Sequence, residues 1–266
     1  MDDLRKRARE LLEIRAVNVV IGYEQGTSGR KRAFFAEKPE DAEKLVFDST
    51  CIQNLASYVT KREIRDKGKI AITATLPVMR SIIQLASEHQ VDDNNLLVLG
   101  ITSESRLIEF SNLAEMETFV HQYQIEIDAR HREKLEKLEK MTPAERWKFW
   151  IDELTPCFKC YACRAACPMC YCQRCTVDFN QPQWIPVPSH QLGNLEWHIM
   201  RAVHLAGRCV DCDACYNACP LGIPLNLLTK KMVEDAKSHF GGYQPVLNGE
   251  HLMSTYKPDD KDNFIE

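Results

Sequence analysis

"PCFKCYACRAACPMCYCQRC", residues 156–175, places seven cysteines in twenty positions of a 266-residue chain. Cys157, Cys160, Cys163 and Cys167 are separated by two, two and three residues, and Pro168 follows. The same spacing returns at Cys209, Cys212, Cys215 and Cys219, again ending in a proline, Pro220. A tight loop with a cysteine at every third residue can aim three thiolates at one small core while its backbone N–H groups point the same way. This run holds cubane [4Fe–4S] clusters, and where two runs occur the fourth cysteine ligates the other cluster. The spacing therefore predicts two clusters with exchanged ligands. Cys157, Cys160, Cys163 and Cys219 hold one; Cys209, Cys212, Cys215 and Cys167 hold the other. Zinc sites favour separated pairs over an evenly spaced triplet, so two full copies weigh against zinc.

Two cubanes use eight thiols of the twelve in the chain. Cys170, Cys172, Cys175 and the distant Cys51 are left over. Four is the number that a third cluster or a zinc ion needs, and that site requires Cys51 to fold back onto "CYCQRC". The other reading is of buried thiols packed beside the clusters, since free cysteine is commonly buried.

Composition narrows the class. Hydrophobic residues make up 44% and charged residues 27%, which reads as globular. A net charge of -4 offers no electrostatic case for nucleic acid. No apolar run approaches the length of a membrane span. The start, "MDDLRKRARELLEI", is a charged amphipathic helix rather than an export signal, so the expected compartment is the cytoplasm, where cysteine-rich chains point to metal before disulfides.

The cysteines also divide the chain, eleven of the twelve falling between positions 157 and 219. Ahead of them, "AVNVVIGYE" and "RAFFAE" read as strands joined by a turn, and "CIQNLASYVTKREIRDK" as a helix. "KIAITAT", "PVMRSIIQLASEH" and "NLLVLGI" then form strand, helix and strand, a right-handed βαβ crossover with parallel strands. The expected organisation is an α/β domain over 1–115, a solvated helical linker over 116–154, a mostly α-helical dicluster ferredoxin domain over 155–236, and an extended tail over 237–266 whose aromatic and aliphatic residues suit docking. Thr142, Pro143 and Glu145 predict a capped helix start just before the cysteines. Between the two motifs, "NLEWHIMRAVHLAGRC" reads as a helix and "CPLGIPLNLLTKKM" begins another. His190, His198 and His204 fall in this stretch; packing or capping histidines are favoured there over ligands.

Several stretches carry a resemblance. "VIGYEQG", "LVFDSTCIQNLASYV" and "GKIAITA" resemble the beta subunits of deazaflavin-reducing hydrogenases and formate dehydrogenases. "KCYACRAACPMCYC" and "HLAGRCVDCDACYNACP" are similar to the α-helical dicluster ferredoxins of heterodisulfide reductase and of the fumarate and succinate oxidoreductase iron–sulfur subunits. The resemblance covers most of residues 16 to 236. It implies an electron-transfer subunit of an anaerobic multisubunit oxidoreductase, partnered by a flavoprotein of the heterodisulfide reductase type, a formate dehydrogenase or a hydrogenase. One turn departs from it. After the "GKIAI" strand such relatives carry Lys-Gly-Cys-Asp-Ser-Arg, where this chain has Thr75, Leu76, Pro77, Val78, Met79 and Arg80. Leu76 and Pro77 remove the flexible glycine and one amide that would approach a phosphate, which argues against FAD in the N-terminal domain.

Two function classes follow. One is a relay without its own substrate site, passing single electrons between a partner's centre and another. The other is a flavin-containing subunit that reduces a soluble carrier through its own FAD and clusters. No acid–base or nucleophilic constellation stands out. Lys159 and Arg164 in the first motif, against Asp211 and Asp213 in the second, predict the higher reduction potential for the Cys157 cluster.

Overall fold

Alternating apolar positions build a central sheet and decide what lies on each of its faces. This computed structural model describes residues 2–123, 128–179, 181–240 and 245–248. The opening helix α1 (Asp2–Glu13) buries Leu4, Ala8, Leu11 and Leu12, one stripe of an amphipathic helix. Strands β1 (Val19–Gln25) and β2 (Lys31–Ala36) form an antiparallel pair, and the two-residue β3 (Leu45–Val46) pairs antiparallel with β1. The βαβ unit is present as read: β4 (Ile70–Ala74), α3 (Leu76–Ser87) and β5 (Leu96–Ile101), with β4 parallel to both β1 and β5. A further strand that the sequence reading lacked, β6 (Leu107–Phe110), closes the sheet antiparallel to β5. The strand order is β2-β1-β4-β5-β6, with β3 attached to β1.

Side chains alternate along each strand. Val20, Ala71, Leu97 and Leu99 point to one face and pack with the apolar stripe of α1. Val19, Ile21, Ile70, Ile72, Leu96 and Val98 point to the other and pack with α3. Met169 and Leu205 from the cysteine-rich half belong to this second core, and Cys167, Cys170, Tyr171 and Cys209 pack against it. The two halves of the chain thus share one apolar interior.

Residues 51–67 differ from the expected helix. Only a 3-10 turn at Leu55–Tyr58 and a single turn, α2 (Arg62–Arg65), form there. Asn54 explains the break. It is buried, its side-chain oxygen accepts from the Ala56 amide, and its side-chain nitrogen donates to Ser81 Oγ at 2.8 Å. That tertiary anchor, with Leu55, Ala56 and Val59 driven into the core, overrides helix propensity.

Three helices lead to the cysteines: α4 (Leu113–His121), α5 (Ala129–Lys140) and α6 (Pro143–Leu154). The charged α5 is not merely solvated. It buries Leu135 and Leu138 against Leu227, so its alternating charges cover one face only. Helix α6 starts with the expected capping box, Thr142 and Glu145 bonding reciprocally. The remaining helices are α7 (Ala162–Ala165), α8 (Gln191–His204), α9 (Ala214–Asn217) and α10 (Leu225–Phe240). No helix among the described residues is long and apolar enough to cross a membrane. In the described part of the tail, the Pro245 carbonyl meets His121 Nε2 at 3.0 Å and the Leu247 amide donates to Glu117 on α4. The expected extended tail is helical over 237–240, where α10 continues, and its residues 241–244 and 249–266 lie outside the described residues.

Glu88, just after α3, clamps the halves together. Arg208 Nε donates to it at 2.7 Å, the Tyr171 hydroxyl donates at 2.8 Å, and the Arg208 guanidinium lies over the Tyr171 ring. Burial alone raises the Glu88 carboxyl pKa; hydrogen bonding and charge from Arg208, with Gln84 and Tyr171, outweigh it and hold the group below its usual 4.5. A depressed carboxylate stabilises the fold above its unfolded pKa and loses that contribution as pH falls through the folded value. Glu88→Gln is therefore expected to lower stability by about 2 kcal/mol at pH 7. The deficit relative to the native chain shrinks in urea melts carried out below pH 4, and a deficit independent of pH would contradict the assignment.

Candidate metal centres

Both cysteine loops fold by the same local rule. In the first, Lys159 (φ 52°) and Tyr161 (φ 61°) are left-handed; in the second, Asp211 (φ 55°) and Asp213 (φ 57°) occupy the equivalent positions. Left-handed backbone is unfavourable for residues with a Cβ, so its repetition at four non-glycine positions signals a shared demand on the loop. The demand is visible: the Lys159 amide donates to Cys157 Sγ at 3.4 Å, and the Asp211 and Ala214 amides likewise serve Cys209 and Cys212. Successive amides curled around a sulfur-lined concavity make a nest for negative charge. The third cysteine of each loop, Cys163 or Cys215, rides on the one-turn helix α7 or α9.

One pocket gathers Cys157, Cys160, Cys163 and Cys219, the set predicted by ligand exchange. Its wall is apolar and aromatic, including Trp197, Ile223 and Leu225. His198 is buried there and its Nε2 stands 3.3 Å from Cys157 Sγ. Burial, reinforced by the charges of Arg201 and Lys159, drives this imidazole down to about 3, so it is neutral. His190 instead caps α8, its ring nitrogen accepting from the Gly193 amide, and His204 is exposed. In the other loop Cys209, Cys212 and Cys215 interact with one another, and Cys167 and Cys209 each pack against the core shared with the sheet, Cys167 hydrogen-bonding Cys170. Asn54, the residue that breaks the expected helix, hydrogen-bonds the Cys212 side chain. Burial pushes the free thiol of Cys163 up to about 11 and those of Cys209 and Cys215 to about 12. Thiols so raised ionise at neutral pH only where a cation binds them.

Buried amides and charges brace the loops. Asn194 on α8 donates to the Cys157 carbonyl at 2.6 Å, and Asn226 on α10 donates to Asp213 Oδ1 at 2.8 Å. Lys159 Nζ is held by the Pro186 and Pro188 carbonyls. Lys230 is paired with Asp211 and, at 3.0 Å, with Asp213. Sequence reasoning missed Asn194, Asn226, Lys230 and Arg201; the only signal was the basic residues inside the largely apolar runs "NLLTKKM" and "HIMRAVHL".

The four remaining cysteines are not brought to one place. Cys51 lines a pocket with Phe47, Thr75 and Pro77 at the carboxyl ends of β4 and β5. Cys170 and Cys172 line a cleft with Arg62, Arg164 and Tyr171, and Cys175 packs with the apolar cluster of Leu195 and Trp197. The division has a local cause. Tyr171 is tied to Glu88, Arg164 donates to the Cys172 carbonyl, and Trp197 Nε1 donates to Asp178, so the chain over 171–178 is pinned in separate directions. Among the described residues, no three histidine, cysteine or acidic side chains are gathered tightly enough for a single ion.

No protein-family profile matches the chain. Over 98 residues it is 33% identical to the F420-dependent formate dehydrogenase subunit beta of Methanocaldococcus jannaschii. That stretch is 36% of this chain and 24% of the relative, so the chain spans about a quarter of the length of the curated protein it matches. The similarity is to a subunit of a redox enzyme.

Proposed function

We propose that the chain is an iron–sulfur electron-transfer subunit of a multisubunit oxidoreductase, with two [4Fe–4S] clusters held by Cys157, Cys160, Cys163, Cys219 and by Cys209, Cys212, Cys215, Cys167. The observation that carries this reading is the meeting of Cys219 with Cys157, Cys160 and Cys163 in one pocket, 56 residues away from the nearest of them in sequence. The donors fit the group: two loops of equal backbone geometry direct amides at sulfur, apolar side chains line the first pocket, and burial raises the thiols of Cys157, Cys163, Cys209, Cys212 and Cys215. When bound, a [4Fe–4S] cluster takes up and releases one electron at a time.

The chain's own residues set how readily it does so. Lys159 Nζ donates to the Pro186 and Pro188 carbonyls beside the first site, where burial lowers its pKa against the charges of Cys157, Asp178 and Glu196, and His198 Nε2 stands 3.3 Å from Cys157 Sγ. At the second site Lys230 pairs with Asp211 and Asp213 and offsets part of their negative charge, and the charge of Arg80 also reaches Asp211. On the charges of the loops the Cys157 site is expected to have the higher potential. The boundaries read at 115 and 236 fall inside α4 and α10, so in this reading the units meet within those helices, the sheet serving as the docking scaffold. Partners are other redox subunits of formate dehydrogenase, hydrogenase or heterodisulfide reductase type, as the similarity to the formate dehydrogenase subunit suggests.

The pocket at the carboxyl ends of β4 and β5 lies where open α/β sheets bind ligands, and it favours a second reading in which a flavin sits there. Against it, α3 begins on Leu76 and Pro77, and Thr75 makes no side-chain cap. An anaerobic redox titration followed by EPR separates the possibilities. The expected result is two one-electron centres, the one lost on Cys160→Ala reducing first, with no bound flavin. Reduction of the Cys212-dependent centre first would refute the ordering, and stoichiometric FAD would favour the second reading.

A further inference from the structure

Arg201 belongs to neither cysteine motif, yet it is a cation enclosed in the interior of the cysteine-rich half. It sits near the C-terminal end of α8 and is 6% exposed. Its Nη2 donates to the Cys163 carbonyl at 2.9 Å, and its buried Nε has no hydrogen-bond partner. Among the described residues no carboxylate pairs with it. The groups whose charge reaches it are Cys167, Cys170, Cys163 and Cys215. A buried, unpaired guanidinium is strongly destabilising unless an anion lies close by. As neutral thiols these cysteines offer no counter-charge; as thiolates of the proposed clusters Cys163, Cys167 and Cys215 do, while Cys170, which belongs to neither cluster, hydrogen-bonds the Arg201 side chain.

The distribution of those cysteines is the informative point. Cys163 belongs to the first proposed site, and Cys167 and Cys215 to the second. A charge on the outer side of one site would act on that site alone, as Lys159 does. Arg201 faces both. We propose that Arg201 is a positioning residue shared by the two sites, a fixed positive charge set between them that makes both clusters easier to reduce. The inference rests on the two-cluster reading above. It also gives the helix between the motifs a purpose that the spacing of the cysteines does not reveal: α8 carries His198 to the first site and Arg201 to the boundary of the two, one turn apart.

The test uses the full chain, reconstituted with iron and sulfide under anaerobic conditions, and compares the native protein with Arg201→Gln and Arg201→Lys by EPR-monitored potentiometry. Arg201→Gln is expected to lower the reduction equilibrium constant of both clusters at least tenfold, about 59 mV for a one-electron centre. Arg201→Lys, which keeps the charge, is expected to retain most of both potentials. A merely structural role, through the hydrogen bond to the Cys163 carbonyl, would not sort the variants by charge. The proposal is overturned if Arg201→Gln leaves both potentials unchanged, if only one cluster shifts, or if Arg201→Lys shifts them as far as Arg201→Gln. Should Arg201→Gln fail to load iron, loading and near-native potentials in Arg201→Lys support the proposal, and failure of both variants overturns it in favour of a role in shape. Absence of iron and sulfide from the native protein would instead remove the two-cluster reading itself.

Discussion

Lys230→Met is expected to destabilise the protein by about 3–5 kcal/mol, the penalty of breaking a buried ion pair by removing one partner. The Lys230 and Asp211 side chains are only 2% and 4% exposed, and the same ammonium also serves Asp213. Methionine fills similar volume on α10 but leaves Asp211 buried without a counter-charge inside the second cysteine loop. Burial by itself would lower the Lys230 pKa; the charge and hydrogen bond of Asp211, then those of Asp213, hold it above 10.5. A raised cationic pKa stabilises the fold below the unfolded value, and that contribution disappears as pH rises through the folded one. Denaturant melts at pH 7 are therefore expected to show the full deficit in Lys230→Met, narrowing above pH 10.5. Asp211→Asn combined with Lys230→Met should recover part of the loss, because the orphaned charge is removed with its partner. A single variant within about 0.5 kcal/mol of the native chain, the range of an ordinary surface change, would show that the pair carries little.

The residues that were legible in advance share a property: their determinants are local. The β4–α3–β5 unit declares itself through continuous apolar strands and a proline at the start of the helix. The α6 cap needs only Thr142 and Glu145, three positions apart. The two cysteine runs repeat one spacing and fold into loops with left-handed residues at matching positions. What escaped the sequence depends on distant partners. Asn54 breaks the helix at 51–67 because Ser81, 27 residues on, accepts its hydrogen bond. The leucines of α5 look like the thin stripe of a solvated helix until Leu227 covers them. Arg201 and Lys230 escape the sequence reading because a basic residue within a largely apolar run gives no hint of what will surround it. The leftover cysteines illustrate the converse: proximity in "CYCQRC" does not converge on one point, since Tyr171 and Trp197 anchor its surroundings to different elements.

Sheet and cysteine loops are also mechanically joined. Cys212 reaches Asn54, and Arg208 and Tyr171 reach Glu88, so the second site is built against the α/β half while Cys160 of the first site is exposed. In the proposed relay, exposed Cys160 makes the first loop the point of exchange with a partner, and the second loop lies against the α/β half. On the proposed ordering of potentials, electrons run downhill from the inner site toward the exposed first loop.

The exchange of terminal ligands is the claim on which the rest depends, and Cys219→Ala tests it with a large effect. Cys219 follows the second motif in sequence but lines the pocket of the first. Anaerobically prepared native protein is expected to hold about 8 iron atoms and Cys219→Ala about 4, one cubane having been lost. The decisive readout is which one. EPR spectra of Cys219→Ala, Cys160→Ala and Cys212→Ala, reduced under the same conditions, are predicted to show the same surviving signal in the first two and a different one in the third. If Cys219→Ala instead loses the signal that Cys212→Ala loses, Cys219 serves its own sequence neighbours and the exchanged arrangement is wrong.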